Sequence, residues 1–273
     1  MLCWMFKDEG RTRRTSGTQG ASYLNTEDYR LGQNDFEAIF MNRRSVRAYA
    51  DRPIEDRIKE QILAAAMRAP TAGNLMLYSI VEIDDLELKK TLAQTCDHQP
   101  FIARAPWVLV FVADYARIMA WYAEQGVPEL CAKQGKAMER PREADLLLAC
   151  CDALIAAQTA AIAAQALGLG SCYVGDIMEQ WETHRQLLGL PRYTFPITML
   201  CLGYPTEQQR TRAQTERLPK TLIVHHNQYQ VPSEDGLATM YPEAGQSLYE
   251  RKFGAAFSLE MRRSVSRMLE DWK

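Results

Sequence analysis

The order of apolar and polar positions predicts helices that alternate with short buried strands. Ile58, Ile62 and Ala66 recur at helical spacing, so the pattern predicts a helix over 55–69. Short apolar runs bounded by turn residues predict strands at 75–83, 105–113, 171–174 and 195–204. Shorter helical patterns lie at 86–94, 115–124 and 179–188. Interleaved strands and helices indicate an α/β or α+β fold.

The longest helical pattern, at 145–168, is apolar and rich in alanine nearly all round. Its length alone would allow it to cross a membrane. Asp145, Asp152 and Thr159 recur every seven residues, however, and form a narrow polar stripe. Such a helix is typical of the middle of a soluble protein or of a subunit interface, so we expect no membrane span.

Polar stretches mark the ends and loops of the predicted domain. Residues 1–32 are polar without periodicity, which predicts a flexible N-terminal tail. Residues 126–144 combine glycine, proline and dense charge, which predicts a surface excursion of the kind that often shapes substrate access. Polar residues fill 206–216, a short extended piece is expected at 222–224, and a loop in 231–247 precedes a mostly helical end.

Composition narrows the function classes. With 273 residues and 47% hydrophobic content, the chain can bury one sizeable core. A formal net charge of -2 argues against nucleic acid or an anionic membrane as a partner. Seven scattered cysteines without a C-x-x-C pair indicate reduced thiols in a cytoplasmic protein. The four histidines lack ligand spacing, so we expect no metal site.

A cluster of basic residues follows a short amphipathic segment at 35–41. Arg43, Arg44, Ser45 and Arg47 lie in a predicted loop between two helices. Guanidinium groups bind phosphate through paired hydrogen bonds, and a serine hydroxyl adds a further donor, so the loop is a candidate anion site. A solvated basic loop is the alternative.

A glycine pair at 168–170 superficially resembles a dinucleotide-binding fingerprint. The third glycine is replaced by Tyr173, and the pair follows a helix rather than a strand. Both features exclude a Rossmann motif.

Six blocks in a fixed order resemble the FMN-dependent nitroreductase family. They are RRSVRAY at 43–49, APTAGNLMLYSI at 69–80, QPFIARAPWVLVFVAD at 99–114, GLGSCYVGDI at 168–177, FPITMLCLGYP at 195–205 and RLPKTLIVHHNQYQ at 217–230. The resemblance implies an α+β fold, in which helices flank a mixed central sheet, and a swapped homodimer. It divides the chain into the tail at 1–32, an FMN-binding core at 33–216 and a C-terminal extension at 217–273 that embraces the partner subunit.

The resemblance also implies which residues bind FMN. Arg43, Arg44, Ser45 and Arg47 match its phosphate and ribityl ligands, and Arg217 matches a distal arginine near the phosphate. Thr71 and Asn74 match positions that reach the ribityl chain or the ring edge, although turn chemistry alone would also explain them. Gln99 matches a contact to the pyrimidine edge. The segment of Tyr173, Val174, Gly175 and Asp176 matches backbone that lies against the flavin ring.

Three positions depart from the family pattern. Thr215 replaces a lysine two residues before Arg217, and either Arg212 or Lys220 is a candidate to supply the missing charge. Met76 replaces a glutamine, and Asp176 replaces the second glycine of a Gly-Gly pair. These departures affect individual flavin contacts.

The implied activity is an FMN-dependent NAD(P)H oxidoreductase with ping-pong turnover. NADH or NADPH reduces FMN and leaves, and a small-molecule acceptor such as a nitroaromatic, a quinone or free flavin then occupies the same place. The sequence shows no nucleophile–base pair, and none is needed because the flavin carries the hydride chemistry. The alternatives are a flavin-binding carrier or sensor without efficient turnover, and a structural dimeric protein that has lost its flavin.

Overall fold

The computed structural model describes residues 32–241 and 244–273. The predicted tail at 1–32 therefore lies outside the described residues, apart from Gly32. Twelve α-helices lie in the described ranges. They are α1 (Gln33–Phe36), α2 (Asp56–Met67), α3 (Leu86–Thr95), α4 (Phe101–Arg104), α5 (Ala116–Glu124), α6 (Val127–Lys133), α7 (Glu143–Ala166), α8 (Trp181–Leu187), α9 (Glu207–Thr211), α10 (Glu234–Ala238), α11 (Gly245–Phe253) and α12 (Ala256–Trp272).

Four strands form one sheet in the order β1-β2-β4-β3. They are β1 (Tyr78–Ile83), β2 (Trp107–Asp114), β3 (Gly170–Val174) and β4 (Thr194–Gly203). Every pairing between these strands is antiparallel, where a mixed sheet was expected. Parallel pairing occurs in the isolated bridge between Ser45 and Ser171, which joins the arginine-rich loop to β3.

The sheet lies between two helical layers, which confirms the α+β prediction. Every residue of β2 is buried, and all of them except the terminal Asp114 are apolar. Alternate side chains of β2 enter opposite layers. Val108, Val110 and Val112 pack with residues of α3, α4 and α12, whereas Trp107 and Phe111 pack with α2 and α7.

The long helix α7 lies inside this fold. It is long and apolar enough to cross a membrane, but nine of its residues are buried against the rest of the chain. Ala153, Ala156 and Ala160 lie in the same core cluster as β2 and α2, where small side chains allow close approach. Leu147, Leu154 and Ile155 remain exposed and form an apolar stripe on the outer side of the helix.

Most predicted elements occur within a few residues of their expected bounds, and the differences have local causes. Strand β1 begins at Tyr78 rather than at residue 75, because Asn74 and Met76 have left-handed φ angles of 57° and 50°. The excursion at 126–144 contains α6, and the polar stretch at 206–216 contains α9, which Thr206 caps. The prediction of an extended piece at 222–224 is wrong, since a 3-10 helix occupies Lys220–Leu222.

The last helix packs on the core of its own chain. Met268 and Trp272 are buried, and Ser264 Oγ accepts a hydrogen bond from Trp181 N at 2.8 Å. Arg185 pairs with Asp271. The preceding segment is different, because large apolar side chains between 223 and 253 stay exposed. They are Ile223, Val224, Tyr229, Val231, Leu237, Met240, Tyr241, Leu248, Tyr249 and Phe253.

Candidate functional site

The arginine-rich loop is anchored to the start of β3. Val46 N donates to Ser171 O at 2.9 Å, and the Val46 side chain is buried. A Cβ atom at Gly170 would lie 2.4 Å from Val46 Cγ2, so glycine is required there. Gly170 thus serves the packing of the loop, whereas Gly168 adopts a left-handed φ of 81° just after the end of α7. Anchoring of Val46 fixes the arginines on both sides of it.

A cleft of about 420 Å³ opens beside this loop. Five arginines line it: Arg43, Arg44, Arg47, Arg212 and Arg217. Ser45 and Thr215 also line it. Arg43 Nη1 is buried there and has no hydrogen-bond partner among the described residues. A buried cationic donor without an acceptor destabilises the folded protein unless an anion accepts its hydrogen bond. These residues therefore fit a phosphate group.

Three of these arginines are close enough to Cys172 of β3 to influence its charge. Burial raises the pKa of the Cys172 thiol, and the positive charges of Arg47, Arg43 and Arg212 oppose that rise. All three guanidinium groups therefore lie near Cys172. Arg212, which sequence reasoning offered as one replacement for the missing lysine, is in the cluster, whereas Lys220 does not line the cleft.

Arg44 has a different role from its neighbours. Its Nη1 donates to the carbonyl oxygens of Arg210, at 2.5 Å, and Arg212. Arg212 Nη2 in turn donates to Ser45 O at 2.9 Å, and Gln214 Nε2 donates to Met41 O at 2.6 Å. Arg44 thus holds the segment at 210–214 against the loop. This contact leaves fewer of its donors for a phosphate than Arg43 has.

The turn that carries Thr71 and Asn74 is held from inside the protein. Asp152 of α7 is buried and accepts from Thr71 Oγ1 at 2.5 Å and from the amides of Ala72 and Leu77 at 3.1 Å. Thr71 Oγ1 also accepts from Met76 N at 2.8 Å. The threonine hydroxyl is therefore used within the turn. Asn74 is exposed, and in the described residues neither side chain hydrogen-bonds to the arginine cluster.

The residues matched to the flavin ring meet at the other end of β3. Gln99 Nε2 donates to Asp176 Oδ2 at 2.6 Å and to Cys96 O at 3.1 Å. Tyr173 Oη donates to Gln158 Oε1 at 3.1 Å, and Val174 is buried. A Cβ atom at Gly175 would meet no other atom within 4 Å, so there is open space in front of its backbone. A planar ring can approach this backbone closely.

Sequence reasoning missed two buried carboxyl groups that support the site. Asp152 was visible only as part of a polar stripe on α7. Glu179 follows the ring segment, is 3% exposed, and has an Oε1 atom that no described residue hydrogen-bonds. Burial raises the pKa of Glu179 to about 8, and the neighbouring Asp176 adds to the rise. No short motif signals this residue, because two of the acids around it, Asp97 and Glu260, come from distant parts of the chain.

The comparisons with known proteins agree with this geometry. A model of the nitroreductase family matches residues 40–204. The chain belongs to the nitroreductase family. An oxygen-insensitive NADPH nitroreductase from Salmonella typhimurium is 35% identical over 205 residues, which cover 75% of this chain and 78% of the relative. An FMN reductase [NAD(P)H] from Bacillus subtilis is 31% identical over 196 residues, which cover 72% of this chain and 75% of the relative.

Solved structures of this family share the fold. The NADPH:FMN oxidoreductase from Vibrio harveyi, complexed with NAD+, superposes with a TM-score of 0.72 and 25% identity. The match covers 86% of this chain and 98% of the Vibrio harveyi chain. The nitroreductase fold therefore extends well beyond the residues that the family model matches.

Proposed function

We propose that this protein is an FMN-dependent NAD(P)H oxidoreductase that reduces nitroaromatics, quinones or flavins. One observation carries the proposal: in the arginine-lined cleft of this nitroreductase-family chain, Arg43 Nη1 is buried and has no acceptor among residues 32–241 and 244–273. The oxidoreductase names of the relatives support the redox activity, the flavin and the nicotinamide donor.

The phosphate of FMN binds in the arginine cleft under this proposal. Arg43 and Arg47 hold it from the loop, and Arg212 supplies the charge that Thr215 lacks. Arg217 and Ser45 complete the lining. Arg44 supports the phosphate site indirectly, because its hydrogen bonds to Arg210 O and Arg212 O keep the segment at 210–214 in place.

The ring of FMN lies at the opposite end of β3. The backbone from Tyr173 to Asp176 lies along it, with the open face of Gly175 as the place of closest approach. Gln99 contacts the pyrimidine edge, and Thr71 and Asn74 belong to the turn that borders the ribityl chain or the ring. FMN, when bound, supplies hydride transfer between the nicotinamide and the acceptor. The residues of the chain bind and orient the cofactor and leave one face for both substrates in turn.

The protein acts as a homodimer in this proposal. Leu147, Leu154 and Ile155 leave an exposed apolar stripe on α7, which fits a subunit interface. The core at 33–216 carries the cleft. Within the extension at 217–273, α12 packs on its own core, so the exposed apolar side chains before it are the part that reaches the partner. Six cysteines in the described ranges are free, which fits a cytoplasmic location.

An absorbance spectrum and an anaerobic titration test the proposed function. The purified protein is expected to be yellow, to release FMN on denaturation and to lose its absorbance band when NADPH or NADH is added. Steady-state consumption of NAD(P)H with menadione or a nitrofuran then separates an enzyme from a flavin carrier or sensor. Protein that stays colourless after incubation with excess FMN would contradict the proposed function.

A further inference from the structure

Three polar side chains, Gln99, Asp176 and Glu179, lie together at the ring end of the site. Gln99 Nε2 donates to Asp176 Oδ2 at 2.6 Å, and Glu179 N donates to Asp176 O at 3.0 Å, which places the buried Glu179 side chain next to Asp176. Gln99 comes from the loop before α4, while both acids belong to the turn after β3. The contact therefore joins two segments that are 77 residues apart.

The partners of Gln99 fix the orientation of its amide. Cys96 O and the carboxylate of Asp176 are both acceptors, so the Nε2 donors must face them. Oε1 is then the group that Gln99 offers to a ligand. The pyrimidine edge of a flavin carries one ring N–H between two carbonyl oxygens. An amide oxygen held in this way accepts from that N–H, and it cannot donate to either carbonyl.

The surroundings of Glu179 favour its protonated form. Asp176, Asp97 and Glu260 face it with negative charge, and the buried Cys96 thiol lies nearby. His184 of α8 is held neutral, because burial lowers its pKa. Arg263 of α12 supplies the positive charge on this side, but it is engaged by Glu260 and Glu182. Two adjacent carboxyl groups in such a place share one proton instead of both ionising.

We propose that Asp176 and Glu179 are positioning residues that share one proton and thereby orient Gln99 for the flavin ring. This inference rests on the proposed function. Protonated Glu179 donates to Asp176, and Asp176 accepts from Gln99. The glycine typical of the family at position 176 has no side chain to make either contact. When Glu179 loses its proton, the two carboxylates repel each other and the contact to Gln99 is disturbed.

An infrared measurement on the FMN-free protein tests the shared proton. The wild type is expected to show the carbonyl stretch of a buried carboxylic acid at about pH 6.5, and the band is expected to disappear by about pH 9.5. Glu179→Gln is expected to lack the band, and the exposed control Glu87→Gln is expected to retain it. A wild type without the band, or Glu179→Gln with it, overturns the shared proton, whatever the protein does with FMN.

FMN titrations over the same pH range at fixed ionic strength test the positioning. The wild type is expected to lose affinity by about threefold to tenfold as pH rises, the worth of one hydrogen bond. Glu179→Gln keeps a donor to Asp176 that does not titrate, so its affinity is expected to stay flat and close to the low-pH value of the wild type. Asp176→Ala is expected to bind more weakly by a similar factor at every pH.

The two measurements together separate this inference from the proposed function. A wild type that shows the band and binds FMN equally well at every pH overturns the positioning role alone. A wild type that shows the band but binds no FMN overturns the proposed function, and the role of Gln99 falls with it.

Discussion

At the scale of single residues, the cleft contains a donor that no described residue satisfies. Arg43 Nη1 is buried and has no acceptor in the part of the chain that the structure describes, whereas Arg44 Nη1 donates to two carbonyl oxygens. The two neighbouring arginines therefore make different contacts despite their shared sequence context. Sequence reasoning assigned both to the phosphate, because the direction of a long side chain depends on the segment at 210–214 that it meets.

Substitution of Arg43 is expected to change stability and cofactor binding in opposite directions. Arg43→Met removes an unsatisfied buried donor, so the FMN-free protein is expected to gain about 1 kcal/mol in unfolding free energy. The same change removes a charge-assisted hydrogen bond and is expected to weaken FMN binding by about 1.5–3 kcal/mol. Denaturant unfolding and FMN titration measure the two effects. Weaker FMN binding accompanied by a less stable FMN-free protein would contradict this explanation.

The replacement of the family lysine by Thr215 is expected to affect FMN binding little, because Arg212 already lies in the cleft. Thr215→Lys is expected to tighten FMN binding by less than about 1.5 kcal/mol, and Arg212→Ala is expected to weaken it by more than that. Arg217→Ala is also expected to weaken it. FMN titrations at fixed ionic strength compare the three variants, since salt screens these contacts. A large gain from Thr215→Lys with no loss from Arg212→Ala would reassign the phosphate ligand.

At the scale of elements, α7 controls the conformation of the turn at 71–77. Asp152 points from this apolar helix into the turn and accepts three hydrogen bonds. The turn needs this support, because Asn74 and Met76 adopt left-handed conformations that cost free energy for residues with a side chain. Thr159 lies on the same polar stripe, and among the described residues its hydroxyl donates only to Ile155 O of its own helix.

Asp152→Ala is therefore expected to destabilise the protein far more than Thr159→Ala does. Loss of a buried acceptor leaves two amide groups and one hydroxyl without a partner, so the unfolding free energy is expected to fall by about 3 kcal/mol or more. Thr159→Ala is the control and is expected to change it by less than about 0.5 kcal/mol. Denaturant unfolding measures the free energy of both variants. Equal losses of unfolding free energy would show that the turn does not depend on Asp152.

His184 couples α8 to two other elements and gives the fold a pH dependence. Its Nδ1 lies 2.8 Å from Ile177 O, and its Nε2 lies 2.7 Å from Thr95 Oγ1. Burial lowers the pKa of His184, so the unfolded chain binds its proton at a higher pH than the folded one does. The stability from neutral His184 is complete above the unfolded pKa of about 6.5 and is lost as the pH falls below it.

The pH dependence of unfolding tests this coupling. Between about pH 7 and pH 5, the unfolding free energy of wild type is expected to fall more steeply than that of His184→Gln. Glu179, whose pKa is raised, contributes a pH slope of opposite sign to the unfolding free energy of both proteins. The difference between the two slopes therefore reports the contribution of His184. Parallel curves would show that His184 binds its proton equally in both states.

At the scale of the whole molecule, apolar side chains remain exposed on α7 and along the extension. Much of the architecture could be predicted from sequence, since β2 and β4 are short apolar runs and α7 is a long one. Other features could not. The pairing direction of the strands, the link between Arg44 and 210–214, and the acids around Glu179 all depend on residues that are distant in sequence. Local patterns carry no information about such contacts.

A charge on the outer stripe of α7 is expected to break the homodimer while the chain stays folded. Ile155→Glu adds a carboxylate where the side chain is 41% exposed in the single chain, so the core is not disturbed. Light scattering is expected to show a dimer for wild type and a monomer for this variant. Leu86→Glu, at an exposed apolar position at the start of α3, is the control and is expected to remain dimeric. A dimeric Ile155→Glu would place the interface elsewhere.

The attachment of 210–214 to the arginine loop bears on how the cofactor site can evolve. Arg44, Arg212 and Gln214 make their contacts across this junction to backbone carbonyl groups, which every residue possesses. Neighbouring side chains on the segment can therefore mutate without breaking the junction. Exchange of one cation for another along this segment is then a nearly neutral step, and lineages with different phosphate ligands can diverge while the sheet beneath them stays the same.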